Sequence, residues 1–346
     1  MPSASLRLIL TELNKLNAYE VKQLYNVVED KAVNLASITF ISNQVKETKF
    51  SKGIICPHCG SVHAVRNGKV KGKQRYICRD CNKSFGDFTK SIVSGTKSTY
   101  DKWFLYIKCM VKGFSLRKTA IEVGITLTTA FYWRHKILTA LQSTVEHEKL
   151  HGIVEADETF FLESFKGNHT KSGVFTMPRP ARKRGGSSKY RGISSEQICV
   201  TCAVDRSGKI LAQPACRGRI NVKTLESVYK TTLDHSAILC TDKHRSYIQF
   251  AKNMGLQLIQ IEHGKTKQDI YHIQHINAYH STLKNWIRHF KGVSTKRLNN
   301  YLIWFKWLKI NRDKRDYEKV KTLLINTTST LVCVKSNDFW GQGMLF

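Results

Sequence analysis

The segment Ile153-Val-Glu-Ala-Asp-Glu-Thr-Phe-Phe-Leu162 constrains the fold more than any other part of the chain. β-Branched and aromatic residues dominate it, which suits a pleated, half-buried strand over residues 153–162. Alternation places Glu155, Asp157 and Thr159 on one face and Val154, Ala156, Glu158 and Phe160 on the other. The face bearing Asp157 is therefore acidic or polar, and a carboxylate is held at mid-strand on a rigid support. Glu158 and Glu163 are close in sequence, but Glu158 points to the opposite face.

Two further places put chemistry-bearing side chains on regular elements. Ala237-Ile-Leu-Cys-Thr-Asp242 reads as a short apolar strand ending in an acid, followed by the polar turn Lys243-His-Arg. In open α/β sheets chemistry collects at the carboxyl ends of strands, so Asp242 is well placed for a metal site. Across residues 272–290, Ile273, Ile276, Leu283, Ile287 and Phe290 recur at helical spacing and predict an amphipathic helix. Asn277 and Lys284 stand two turns apart on one face of it, roughly 10 Å at 1.5 Å per residue.

Asp157, Asp242 and Asn277, with 34 residues between the last two and Lys284 seven positions after the third, resemble the Asp-Asp-Glu/Asn plus Lys signature of cut-and-paste transposases. The closer resemblance is to the ISXO-two-like transposases of insertion-sequence family fifteen-ninety-five, which also carry a zinc ribbon upstream and include members with Asn in third place. It spans residues 51–308. It implies an α/β, ribonuclease H-like catalytic domain, a mixed sheet with flanking helices, that binds Mg²⁺ or Mn²⁺. By the same resemblance Asp157 bridges two ions, Asp242 holds one, Asn277 offers an amide oxygen to the other, and Lys284 contacts the substrate phosphate. The implied reaction is hydrolysis at the ends of an element followed by strand transfer of the 3′-hydroxyl into target DNA.

The chemistry suits those residue types. Phosphodiester cleavage needs an in-line oxygen nucleophile and relief of charge on the phosphoryl and leaving oxygens, which two divalent ions about 3.5–4 Å apart provide, and hard oxygen donors hold such ions. Asn277 in place of Glu lowers the negative charge of the site by one. Glu262 and Asp269 are neighbouring acids, but neither has a lysine seven residues later.

Charge agrees with a nucleic-acid partner. The chain has 56 Lys+Arg against 26 Asp+Glu, a formal net charge of +30, which points to a polyanion. The expected partner is double-stranded DNA, both element ends and target, held by a homo-oligomer able to grip two ends. No apolar run approaches the roughly 18 residues of a membrane span, and the first residues lack a secretory pattern. The expected location is the prokaryotic cytoplasm, in association with the nucleoid.

In chain order, residues 1–50 read as helical, with a possible cap at Asn17, and serve packing, dimerisation or DNA contact. Residues 51–95 form a zinc ribbon: Cys56-Pro-His-Cys59 and Cys78-Arg-Asp-Cys81, 18 residues apart, supply four thiolates suited to a structural Zn²⁺. Between them Lys69, Lys71, Lys73 and Arg75, with Tyr76, have the mixture expected of a hairpin against a phosphate backbone. The remaining cysteines make no obvious site, and Cys199 and Cys202 read as core. Residues 96–145 resemble a helix-turn-helix, a plain helical hairpin being the alternative. Its second helix opens at Thr126 and Thr128 and presents Arg134, His135 and Lys136 to DNA.

The catalytic domain occupies residues 150–312. After its first strand comes a basic, Gly/Ser-rich stretch, residues 166–191, read as a DNA-clamping loop with Arg182, Lys183 and Arg184. Strands at 197–204 and 210–215, a helix at 222–233, the Asp242 strand, a helix at 247–254, a strand at 256–261 and the Asn277 helix follow. An aromatic helix at 299–310 buries the sheet, and residues 313–346 read as a tail. The competing function is a zinc-dependent repressor derived from a transposase, which shares every basic feature and differs in lacking catalysis.

Overall fold

The computed structural model describes all residues except 1–3, 36–38, 52, 146–148, 168–175, 180–187, 263–266, 333, 335 and 340–346. The elements in chain order are α1 (Ala4–Leu13), α2 (Ala18–Leu35), α3 (Thr39–Lys49), β1 (Ala64–Val70), β2 (Lys73–Cys78), β3 (Ser84–Gly86), α4 (Tyr100–Val111), α5 (Leu116–Val123) and α6 (Leu127–Gln142). Then come β4 (Ile153–Leu162), β5 (Gln197–Asp205), β6 (Ile210–Arg217), α7 (Val222–Tyr229), β7 (Ile238–Thr241), α8 (Arg245–Met254) and β8 (Gln257–Gln260). A two-residue ladder, β9 (Lys267–Gln268) with β10 (Tyr271–His272), precedes α9 (Gln274–His289), α10 (Leu298–Ile310) and α11 (Asp316–Ser329). No helix among the described residues is long and apolar enough to cross a membrane.

The chain divides into two compact units, Met1–Phe114 with Glu122–Gly124 and Lys314–Cys333, and Ser115–Ile121 with Ile125–Asp313 and Val334–Phe346. In the first, Asn17 caps α2: its Oδ1 accepts from the Tyr19 and Glu20 amides at 3.0 Å, while Glu20 accepts from the Asn17 amide. β1, β2 and β3 form an antiparallel sheet whose hairpin turns at Lys71 and Gly72, both at positive φ, as a two-residue loop of that twist requires. Residues 316–329, part of the expected tail, are instead helix α11, packed against α3 and α4. Its buried stripe, Val320, Leu323, Leu324, Thr327 and Thr328, includes two threonines and so reads as weakly apolar in sequence.

The second unit is built on a five-stranded mixed sheet of order β6-β5-β4-β7-β8. β4, β5 and β6 run antiparallel, β4 pairing along its whole length with β5, and β7 and β8 continue parallel to β4. Pro214 lies on the edge strand β6 beside a register shift, where its missing amide costs no ladder bond. One face of the sheet packs Val154, Ala156, Cys199 and Ala203 against Leu225 and Tyr229 of α7 and Tyr247 and Phe250 of α8. The other face meets α9 and α10, and α10 also packs on α6. Helix α7 stops at Tyr229, short of the expected 233, and Leu233 instead forms an isolated parallel β-bridge with Leu150.

Candidate active site

β4 presents Asp157 on the α9 face and Glu158 on the α7–α8 face, where the Tyr247 hydroxyl donates to Glu158 Oε1 at 2.5 Å. Burial pushes the Glu158 carboxyl up to about 7, the Tyr247 bond opposing and the Asp157 and Asp242 charges adding to the rise. β7 lies parallel beside β4 with Glu155 opposite Cys240; Asp157 and Asp242 each stand two residues further on, so the register carries them side by side. Asp242 ends its strand in an Asx turn, Oδ1 accepting from the His244 amide at 3.0 Å, and Gln260 Nε2 holds its carbonyl at 3.0 Å. Burial pushes the Asp157 carboxyl up to about 6; the Glu158 amide, which donates to Oδ1 at 2.8 Å, opposes this, the Asp242 charge adds to it, and Lys284 opposes it.

Helix α9 lies over this strand pair and is held at both ends. At its start the Glu155 carboxylate accepts from the His275 and Ile276 amides at 2.8 and 3.1 Å. At its finish Lys166 Nζ donates to the carbonyls of Phe290, Lys291 and Gly292 at 3.3, 3.0 and 2.9 Å. An anion at the amino end and a cation at the carboxyl end both complement the helix dipole. Ile276, Tyr279, Leu283 and Ile287 face inward, while Asn277 and Lys284 are exposed.

Between Asn277 and Lys284, on the same side of α9, sits His280, a residue that sequence reasoning missed. Its Nδ1 lies 3.6 Å from Asp157 Oδ2, and its Nε2 is buried without a hydrogen-bond partner. Burial, with Lys284 second, holds this imidazole down at about 4. The available signal was its position three residues after Asn277 and four before Lys284, which shares their helix face. The acids weighed against Asn277 have local roles: Glu262 pairs with Lys243 at 2.9 Å, and Asp269 takes a positive-φ position between β9 and β10.

In the other unit the four sulfurs of Cys56, Cys59, Cys78 and Cys81 lie within 4.8 Å of one another, with Cys56 to Cys81 at 3.7 Å and Cys59 to Cys78 at 3.6 Å. A tetrahedron with Zn–S bonds of about 2.3 Å has sulfurs ~3.8 Å apart, so the four thiols fit a Zn²⁺ ion. Backbone amides of Cys81 and Asp80, and the neighbouring thiols, lower Cys78 to about 6. Cys199 and Cys202 are buried in β5, and Cys333 lies outside the described residues.

The basic candidates divide. Lys69, Lys71 and Lys73 are exposed, and Lys73 Nζ also stands 5.1 Å from the Tyr100 ring. Arg75 is half-buried, donating to Ser84 at 2.6 Å. Tyr76 is core rather than surface, stacked on Phe85 and bonded to Asp87 at 3.0 Å. Thr126 and Thr128 are exposed at the start of α6, with Thr126 accepting from the Thr129 amide as its cap. Arg134 does not face outward. It is fully buried, donates to Thr119 at 3.2 Å and stacks 4.9 Å from the Trp304 ring; His135 is buried with it. The helical period turns these two inward because α6 packs against α10. Arg182, Lys183 and Arg184 lie outside the described residues.

Residues 149–309, the second unit's sheet with α7 to α10, match the family of the ISXO2-like transposase domain. A protein in transposable element ISH50 of Halobacterium salinarum, itself uncharacterized, is 27% identical over 300 residues, covering 83% of this chain and 97% of the relative. Among solved structures, a pre-cleavage Mos1 transpososome is 10% identical over 64% of this chain and 78% of its own, at a TM-score of 0.21. A Mos1 mariner paired end complex with Mn is 11% identical over 63% and 77%, also at 0.21. The five-stranded sheet lies within the stretch that matches the transposase domain. The family match and the ISH50 relative support a DNA transposase of an insertion sequence, of the ISXO2-like type.

Proposed function

We propose that the second unit is a ribonuclease H-like catalytic domain that cleaves phosphodiester bonds at the ends of its element and joins them to target DNA. The observation that carries this is that β4 bears Asp157 while its parallel neighbour β7 runs straight into Asp242, whose charge acts on Asp157, under a helix bearing Asn277 and Lys284. The strand order, three antiparallel strands extended by two parallel ones, supports the same reading.

The residues fit divalent ions. Asp157 is a half-buried carboxylate whose ionised form is disfavoured by desolvation and by Asp242 and favoured by Lys284. A divalent cation relieves that cost, and Asp157, Asp242 and the Asn277 amide oxygen form a hard donor set for Mg²⁺ or Mn²⁺. Such ions would activate the attacking oxygen and steady the departing one. Lys284 holds a phosphate as a point charge. Buried, neutral His280 screens one side of Asp157 without competing with the ions for charge.

Around this centre we assign residues 51–95 to a zinc ribbon and residues 96–145 to a helical DNA-binding region, with Lys69, Lys71, Lys73, Arg75, Thr126 and Thr128 as DNA contacts. Arg182, Lys183 and Arg184 belong to a basic stretch directly after the Asp157 strand, whose composition suits a DNA backbone. Two element ends must be joined in one event, so the acting species is a homo-oligomer on DNA.

The test is cleavage of a labelled duplex carrying the element's own end, in Mg²⁺ and Mn²⁺, by the parent protein, Asp157→Ala and Asn277→Ala. Metal-dependent nicking by the parent, lost in both variants, is expected. Specific binding with no nicking in either metal would instead identify a repressor.

A further inference from the structure

Glu155 precedes Asp157 by two residues on the same face of β4 and is completely buried. Its Oε2 accepts from the His275 and Ile276 amides, so the first turn of α9 is fixed to β4. Its Oε1 lies 2.7 Å from His275 Nδ1, 3.2 Å from His272 Nδ1 and 3.1 Å from Arg206 Nη1. Arg206, in the turn between β5 and β6, places the same Nη1 2.8 Å from His272 Nε2 and 2.8 Å from His275 Nδ1, and its Nη2 donates to the Ile270 carbonyl at 3.2 Å.

A carboxylate and two imidazoles this close form a ligand set for a transition metal. Here, however, the guanidinium already stands among the three donors, and the positive charge of the cluster is Arg206. What the cluster does mechanically is join three segments: β4, the β5–β6 turn and the first turn of α9.

We propose that Glu155, braced by Arg206, is a positioning residue that sets the axial and rotational register of α9, and thereby the placement of Asn277 opposite Asp157. A helix turns about 100° per residue, so a slip of one residue at the Glu155 contact carries Asn277 off the side it shares with His280, which reaches Asp157. Lys166 holds the far end, but through carbonyls of the exit loop, which follow the helix wherever it lies. The inference rests on the reading of Asp157, Asp242 and Asn277 as metal ligands.

The experiment replaces Mg²⁺ by Fe²⁺ in the full-length protein and maps, with ascorbate and peroxide, where radicals released at the metal cut the backbone. In the parent, cuts beside Asp157, Asp242 and Asn277 are expected. In Glu155→Ala, cuts beside Asp157 and Asp242 should persist while those beside Asn277 fall at least fivefold, and single-turnover DNA cleavage should slow at least tenfold with DNA affinity unchanged. Glu155→Gln, which keeps an acceptor oxygen, should restore part of both, and Arg206→Gln should reproduce the Ala pattern more weakly. These two variants carry the test should Glu155→Ala not fold. Parental cutting beside Asn277 in all variants overturns the positioning role. A parent that is cut beside Asp157 and Asp242 but never beside Asn277 overturns the ligand reading of Asn277, and the role of Glu155 with it.

Discussion

The Nδ1 atom of His280 lies 3.6 Å from Oδ2 of Asp157, beyond a good hydrogen bond and inside the range of strong electrostatic influence. Because burial and Lys284 hold the imidazole down at about 4, it is neutral at pH 7. His280→Lys places a lasting positive charge beside Asp157 and should raise the Mg²⁺ concentration for half-maximal cleavage by about tenfold, the equivalent of ~1.4 kcal/mol. His280→Asn keeps a neutral polar group and should stay within about threefold. A metal titration of the cleavage rate decides it, and equal midpoints for parent and the lysine variant would remove His280 from the site.

Arg134 and Lys71 should separate stability from DNA affinity. Arg134→Ala removes a buried side chain that ties α5, α6 and α10 together and should cost about 2–4 kcal/mol in urea unfolding. Lys71→Ala, at an exposed hairpin turn, should leave unfolding unchanged while lowering the salt slope of DNA binding by about 1. Loss of DNA binding in a fully stable Arg134→Ala protein would reverse the assignment.

His135 gives a stability test with a definite sign. Burial, then the charges of Arg297 and Arg134, push its pKa well below 6.5 in the folded state. The unfolded chain takes this proton below pH ~6.5 and the folded one does not, so the contribution of neutral His135 is complete above pH 6.5 and is lost as pH falls, by up to ~1.4 kcal/mol per unit. Asp157 and Glu158, pushed upward, work in the opposite sense, so a comparison of variants isolates the histidine. His135→Gln, which can keep the bond to Asn300, should lose about 1 kcal/mol less than the parent between pH 7.5 and 5.5.

Zinc removal should act locally. The ribbon core is Cys56, Tyr76, Cys78 and Phe85 with a few partly buried neighbours, too small to persist without its metal. One zinc per chain is expected by colorimetric release. Chelation, or Cys78→Ser, should speed hydrogen exchange of the amides in β1 and β2 and leave β4 unchanged. Faster exchange in β4 as well would show that the two units are not energetically separate.

Much of this was legible because it is periodic or spaced. β4 has the bounds that its alternation predicts, the Asp242 strand and the α9 helix follow their apolar patterns, and the two cysteine pairs sit where knuckle spacing puts them. What stayed hidden depends on contacts between segments far apart in sequence. Glu155 looks like one more acid on a polar face until α9 delivers two amides to it. Arg134 and His135 read as a basic tip until α10 covers them, since a single helix does not reveal which side its partner takes. His280 shares a helix face with Asn277 and Lys284 in the sequence, but its approach to Asp157 depends on how α9 lies over β4.

The grip on both ends of α9, by Glu155 of β4 and by Lys166 just after that strand, has a consequence for how the protein is made. Glu155 and His275 are separated by 120 residues, and Lys166 and Gly292 by 126. Neither clamp can close until the ribosome has synthesised nearly the whole chain, and such distant contacts form late. A nascent or prematurely terminated chain therefore carries its acids without the helix that lies over them, and its α3, α4 and α6 without α10 and α11, which pack on them.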